Sequence, residues 1–406
     1  MGCILVRSVR HTLPLLSIAV ARHTTPQSRA RSVTTTCTFT RHCGAASDHI
    51  GYHVPVPRPL VRHTMKRHQQ PPTGRTEVLS SPALYLGSIA VSDQLRPQAG
   101  ALSGTRLKNL VFPALYWLVR HTPAWFSLQP ARLVFALLRL YYVWPGNRLR
   151  GACEAVCAVG NAPRIHASRS VYNRFLDNAL GIIDNFFSLY RDGCETLLPR
   201  IRISPGDVES VQRLIDKHGG VVLAVPHNVG SAFSALRIGH AFDMLLVAKN
   251  PSTPARTRIA LDFYERMELS VLMVRGGNPF VLSRAMFSVL RQGRLVAATL
   301  DNLDRSAGRI DVEMFGRRVG LAGWAARIAV RMQVPIIPAW FSSDGNRLQA
   351  IIGEPLLTAD VQAAVQHYAA FFERQILADP SSWAYLADKH WQRILAEAAG
   401  RQPPSR

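Results

Sequence analysis

The chain has 406 residues, with 48 Lys and Arg against 26 Asp and Glu, a formal charge of +22, and 48% hydrophobic residues. That hydrophobic content excludes a chain disordered throughout, and six cysteines in this length exclude a small disulfide-stapled scaffold. A charge of this size points first to nucleic acid or to an anionic membrane surface, and its placement along the chain is more informative than its total.

Residues 1–76 hold 11 Lys and Arg and a single acid, Asp48, together with seven of the 14 His and three of the six Cys. Arg-His-Thr occurs there at 10–12, 22–24 and 62–64, a spacing too irregular for a structural repeat. No helical or strand period is sustained, so the segment reads as a disordered basic tail. Arg7 and Arg10 precede the short apolar run Leu13–Ala21, which ends in Ala19-Val20-Ala21 and resembles an exported leader. The competing reading starts the native protein at Met65.

Residues 96–150 differ in kind. Eight basic residues lie between Arg96 and Arg150 with no acid, and aromatic residues from Phe112 to Trp144 are interleaved among Leu and Val. The apolar runs Leu110–Val119 and Leu133–Trp144 are shorter than the ~20 residues a spanning helix needs. Arginine and aromatics without acids suit amphipathic helices lying on anionic lipid. Nucleic acid is the weaker match, because stacking platforms set their aromatics in an otherwise polar surface.

Beyond residue 150 the pattern becomes regular. Ala167–Tyr190 and Val208–Lys217 read as helices, the second after the start signal Ser204-Pro205-Gly206-Asp207. Strand-length apolar runs follow at Val221–Val225, Met244–Ala248, Ser270–Val274, Leu295–Leu300, Val334–Trp340 and Leu348–Ile352, with Ser342–Asn346 as a turn. Asn278, Pro279 and Gly293 delimit one helix by cap, first-turn proline and terminal glycine. Strands alternating with helices define an α/β domain over residues 151–400.

Four of these runs end in a residue capable of chemistry: His227, Lys249, Arg275 and Asp301. Ligands collect at the carboxyl ends of strands in open α/β sheets, so a base, two cations and an acid would meet there. His227 sits between Pro226 and the small stretch Asn228-Val229-Gly230-Ser231-Ala232, which permits close approach of a ligand. Cys153 and Cys157 lack a nearby His, and no phosphate loop, dinucleotide fingerprint or serine elbow occurs. No metal or cofactor is implied.

In this order the motifs resemble the bacterial lipid A biosynthesis acyltransferases, within the wider lysophospholipid acyltransferase superfamily. They are Gly219–His227, Lys249-Asn250-Pro251, Arg275-Gly276-Gly277, Leu300-Asp301-Asn302, Val312–Val319 with Phe315-Gly316, Gln333–Pro338, and Asp379–Trp383. Pro130–Arg150 resembles the family's membrane-associating helix. The resemblance implies a mixed central sheet flanked by helices, of glycerolipid acyltransferase type. It implies His227 as general base; Asn228, Gly230, Ser231, Lys249, Arg275 and Phe315 as substrate contacts; and Arg256 or Arg258 as further phosphate holders. An acyl carrier protein or other acyl thioester would be donor and a lipid hydroxyl acceptor. The protein would lie on the cytoplasmic face of the bacterial inner membrane.

One position departs from the family. Its signature is His, four residues, then an acid, and here that fifth position is Ala232. Asp301, at a strand end expected near that of His227, is the candidate substitute. The alternative is a lipid-binding homologue without catalysis.

Overall fold

The structure, a computed structural model, describes residue 117 and residues 121–160, 165–249, 254–274 and 279–400. The expected tail over residues 1–76, and the basic segment before residue 117, lie outside these.

The described chain opens on α1, Ala124–Leu140, then a short 3-10 turn at Tyr141–Val143 and α2, Arg148–Val159. The single amphipathic helix expected over Pro130–Arg150 is therefore two helices. Pro145 and Gly146 break the run, and the Asn147 side chain caps α2 by accepting from the Arg150 N–H at 3.2 Å. The long helix α3, Ile165–Asp192, lies alongside α1, as the Arg139–Asp177 ion pair shows. The Tyr172 hydroxyl also donates to the Leu138 carbonyl at 2.7 Å.

The α/β body follows. Strand β1 is Ile201–Arg202, and α4, Pro205–His218, closes on Gly219 in the left-handed conformation. Then come β2 Val221–Val225, α5 Ser231–Ala241, β3 Met244–Ala248, α6 Pro254–Arg266 and β4 Ser270–Met273. After them come α7 Pro279–Arg291, β5 Leu295–Thr299, β6 Arg309–Met314, β7 Arg317–Ala322 and α8 Trp324–Met332. The chain ends with β8 Ile336–Asp344, β9 Arg347–Ile352, α9 Val361–Ala378 and α10 Lys389–Ala398. Seven strands form one mixed sheet in the order β1-β9-β8-β2-β5-β3-β4. Only the β8–β9 pair is antiparallel. β2 is buried along its whole length, as parallel central strands require.

One sequence expectation shifts. Ser342–Asn346 is mostly strand, because β8 runs on to Asp344 and the turn shortens to Gly345-Asn346. Residues 312–319 form a separate hairpin of β6 and β7 around Phe315-Gly316, both left-handed (φ 55° and 65°). A phenylalanine there costs about 1–2 kcal/mol of backbone strain. Its buried ring offsets this by packing against Trp383 and Trp391, with centroids 6.1 and 6.0 Å away.

Helix α3 holds the β8–β9 turn with one face. Asn178 accepts from the Gly345 N–H at 2.9 Å, and Asn185 donates to the Asn346 carbonyl at 2.9 Å. Gly181 lies between them in the helix, and a Cβ there would stand 2.1 Å from the Gly345 backbone. Alanine gains about 1 kcal/mol in helix propensity. Forcing the backbones apart costs about 3 kcal/mol. Gly181→Ala is therefore expected to lower stability by a net ~2 kcal/mol, read from the denaturant midpoint.

Candidate active site

Register builds the centre of the site. β2 and β5 pair in parallel with Val225 opposite Thr299, so two residues further on His227 lies level with Asp301. The Leu300 N–H donates to the Val225 carbonyl at 2.8 Å and continues the ladder past the strand ends. The His227 backbone N–H donates to both Asp301 carboxylate oxygens at 3.0 Å, and His227 Nδ1 meets Asp301 Oδ1. Both side chains are buried, Asp301 completely. With the carboxylate at Nδ1, the imidazole hydrogen sits there and Nε2 is the acceptor nitrogen. The acid missing at position 232 is thus matched, in contact terms, by one from the neighbouring strand.

The C-terminal region completes the carboxylate's surroundings. Trp383 Nε1 donates to Asp301 Oδ2 at 2.9 Å, and Trp391 Nε1 donates to the Asp301 carbonyl at 3.1 Å. Trp383 is held by the turn before it. Asp379 accepts from the Ser342, Ser381 and Ser382 hydroxyls at 2.5, 2.7 and 2.6 Å. Trp391 is held by α10, whose first turn is capped by Asp388 accepting from the His390 and Trp391 N–H groups at 2.8 and 3.1 Å. Backbone bonds tie the two halves together: the Val229 N–H to the Ser382 carbonyl and the Ala384 N–H to the His227 carbonyl, each 2.7 Å.

Tyr385 lies on the other side of His227. Its ring stacks on the imidazole with centroids 4.2 Å apart, and its hydroxyl is 3.2 Å from Nε2. The same hydroxyl donates to Asn302 Oδ1 at 2.6 Å. Burial, then the nearby Asp301 and Asp388, push the phenol far above its ordinary range, so it stays protonated.

The other sequence candidates are placed unequally. Asn228 is buried; its side chain donates to the Ser382 carbonyl at 3.4 Å and accepts from the Phe341 N–H at 3.3 Å, so its amide is spent on the framework. Gly230 is left-handed (φ 88°), and a Cβ would stand 2.4 Å from Ile182 Cδ1, so only glycine fits before α5. Ser231 opens α5, and its N–H donates to the Asn228 carbonyl at 3.1 Å. Lys249 follows β3, next to β5 in the sheet, and is exposed at the same edge. The Phe315 ring packs on Trp383 and Trp391, which both bond Asp301. Arg275, and the side chains of Arg256 and Arg258, lie outside the described residues.

Trp383, Tyr385, Trp391 and Asn302 were not singled out as site residues from the sequence. Three aromatics within nine residues, just after a Pro-Ser-Ser turn, were the available signal. Among the described residues no group of three His, Cys, Asp or Glu side chains has metal-holding geometry.

The fold and this site define an α/β protein with a buried His–Asp pair at the carboxyl edge of its central parallel strands. Residues 195–393 match the family described as bacterial lipid A biosynthesis acyltransferase. No curated protein matches the chain.

Proposed function

We propose that the protein is a peripheral membrane acyltransferase that moves a fatty acyl chain from an acyl thioester, carried by acyl carrier protein, to a hydroxyl of a glycolipid. The observation that carries this reading is the Asp301 carboxylate against His227 Nδ1, which leaves Nε2 as the base. The acceptor hydroxyl gives its proton to Nε2 while its oxygen attacks the thioester carbonyl. The C–S bond then breaks, an ester C–O bond remains, and the imidazolium returns the proton to the departing sulfur. Asp301 orients the ring and stabilises the imidazolium. Lys249, exposed at the same sheet edge, and Arg275 would hold a phosphate of the donor arm or acceptor headgroup.

The membrane part of the reading rests on α1. Its inner stripe, Leu128, Phe135 and Tyr142 just beyond, packs into the core. Trp125, Phe126, Leu133, Leu137 and Leu140 are exposed on the remainder, as are Val143 and Trp144 just after it, with Leu140 and Trp125 about 70% open (70% and 69%). So much exposed apolar surface on α1 and the turn after it suits the boundary of a bilayer. Among the described residues no helix is long and apolar enough to cross a membrane.

The test is transfer of a radiolabelled acyl group from acyl carrier protein to extracted bacterial lipids, with lipid mass spectrometry of cells with and without the protein. Labelled glycolipid, and a lipid lighter by one acyl chain in cells lacking the protein, are expected. Ala232 favours one competing reading, a lipid-binding homologue without catalysis. Incorporation equal to that without protein would select it.

A further inference from the structure

His227 and Asp301 account for the proton but not for the aim of the ring. An imidazole accepts a proton only along the in-plane lone pair of Nε2, so its plane must be fixed as well as its tautomer. The carboxylate contacts Nδ1 at one edge of the ring, and the ring's faces need a separate restraint.

Tyr385 supplies a restraint on one face. The two rings are stacked, 23° from parallel, with centroids 4.2 Å apart. At that separation and tilt the phenol oxygen lies beside the imidazole's face. From the stacked ring the phenol oxygen stands 3.2 Å from Nε2, within hydrogen-bond distance. The single phenol hydrogen is committed elsewhere, to Asn302 Oδ1 at the shorter distance of 2.6 Å. Asn302 directly follows Asp301 on the β5 side, so the anchor of the tyrosine and the acid of the pair come from one turn. The Trp383 ring, itself bonded to Asp301, packs edge-on against Tyr385 at 6.4 Å.

We propose that Tyr385 is a positioning residue for His227. Anchored through its hydroxyl on Asn302, it clamps the imidazole from one face and keeps the in-plane side of Nε2 directed at the acceptor hydroxyl. The inference rests on His227 being the base of the proposed acyl transfer. It also makes Tyr385 neither a nucleophile nor a proton carrier.

The experiment compares Tyr385→Phe, Asn302→Ala and the double variant. Each single variant removes the anchor while the stacked ring remains. Each is expected to lower kcat by about ten- to a hundredfold, the scale of a misaimed catalytic group, with KM for the acyl donor unchanged. The double variant is expected to be no slower than the slower single, because both remove one anchor. The ¹⁵N resonance of His227 Nε2, recorded on the protein alone, is expected to move and broaden in Tyr385→Phe. A kcat within twofold of wild type in Tyr385→Phe would overturn the proposal. So would a loss beyond about 10³-fold, the mark of a lost proton carrier. If the wild-type protein transfers no acyl group, the functional reading falls. The Nε2 resonance then decides the role of Tyr385 by itself, and an unchanged signal in Tyr385→Phe removes it.

Discussion

Asp301→Asn is expected to lower acyl transfer by roughly 10⁴-fold, the loss seen when a histidine base is deprived of its carboxylate in a serine-protease triad. The change keeps the side chain's volume and removes its charge. Three donors face the carboxylate: the His227 N–H, His227 Nδ1 and Trp383 Nε1. An amide offers a single oxygen, so one donor must face an NH2 group, at a cost of about 1–3 kcal/mol in stability. The rate is therefore measured where circular dichroism shows the variant folded. His227→Ala sets the floor, and Asp301→Asn should lie near it. Unchanged transfer in a folded Asp301→Asn protein would remove the carboxylate from the mechanism.

The second large effect concerns the membrane. Replacing Trp125, Leu133, Leu140 and Trp144 by Ser removes four exposed apolar side chains from α1 and its continuation. Burial of each such side chain is worth about 1.5–3 kcal/mol, so partitioning should fall by at least about a hundredfold. These positions are open to solvent, so the α/β body should keep its stability. Sedimentation with vesicles containing phosphatidylglycerol measures the change. Arginines near the surface add about 1 kcal/mol each on anionic lipid, so neutral vesicles should bind the wild type less well. Equal sedimentation of wild type and the fourfold variant would take the bilayer away from this face.

The long helices and the central strands were legible in the sequence because their patterns are local. β2 and β3 fall on Val221–Val225 and Met244–Ala248 as read, since an unbroken apolar run bounded by Pro226 or by Lys249 admits few other structures. Breaks inside a segment were harder. Pro145-Gly146 divides an apolar, basic run that reads as one helix, and the β6–β7 hairpin hides behind a phenylalanine where a turn favours asparagine or glycine. β1, two residues long, has no periodicity to detect.

The sequence by itself determined the α/β class, the histidine at a strand's end and the acid at another's, because strand ends are marked by local composition. It also showed that the family's usual acid is replaced by Ala232. Only the tertiary structure decided which acid meets the histidine. That depends on β5 lying beside β2 in parallel register, a pairing between segments 74 residues apart. The same holds for Trp383 and Trp391, 82 and 90 residues beyond Asp301, and for Tyr385, 158 residues beyond His227. Their roles arise from hydrogen bonds across the fold, and no local pattern records them.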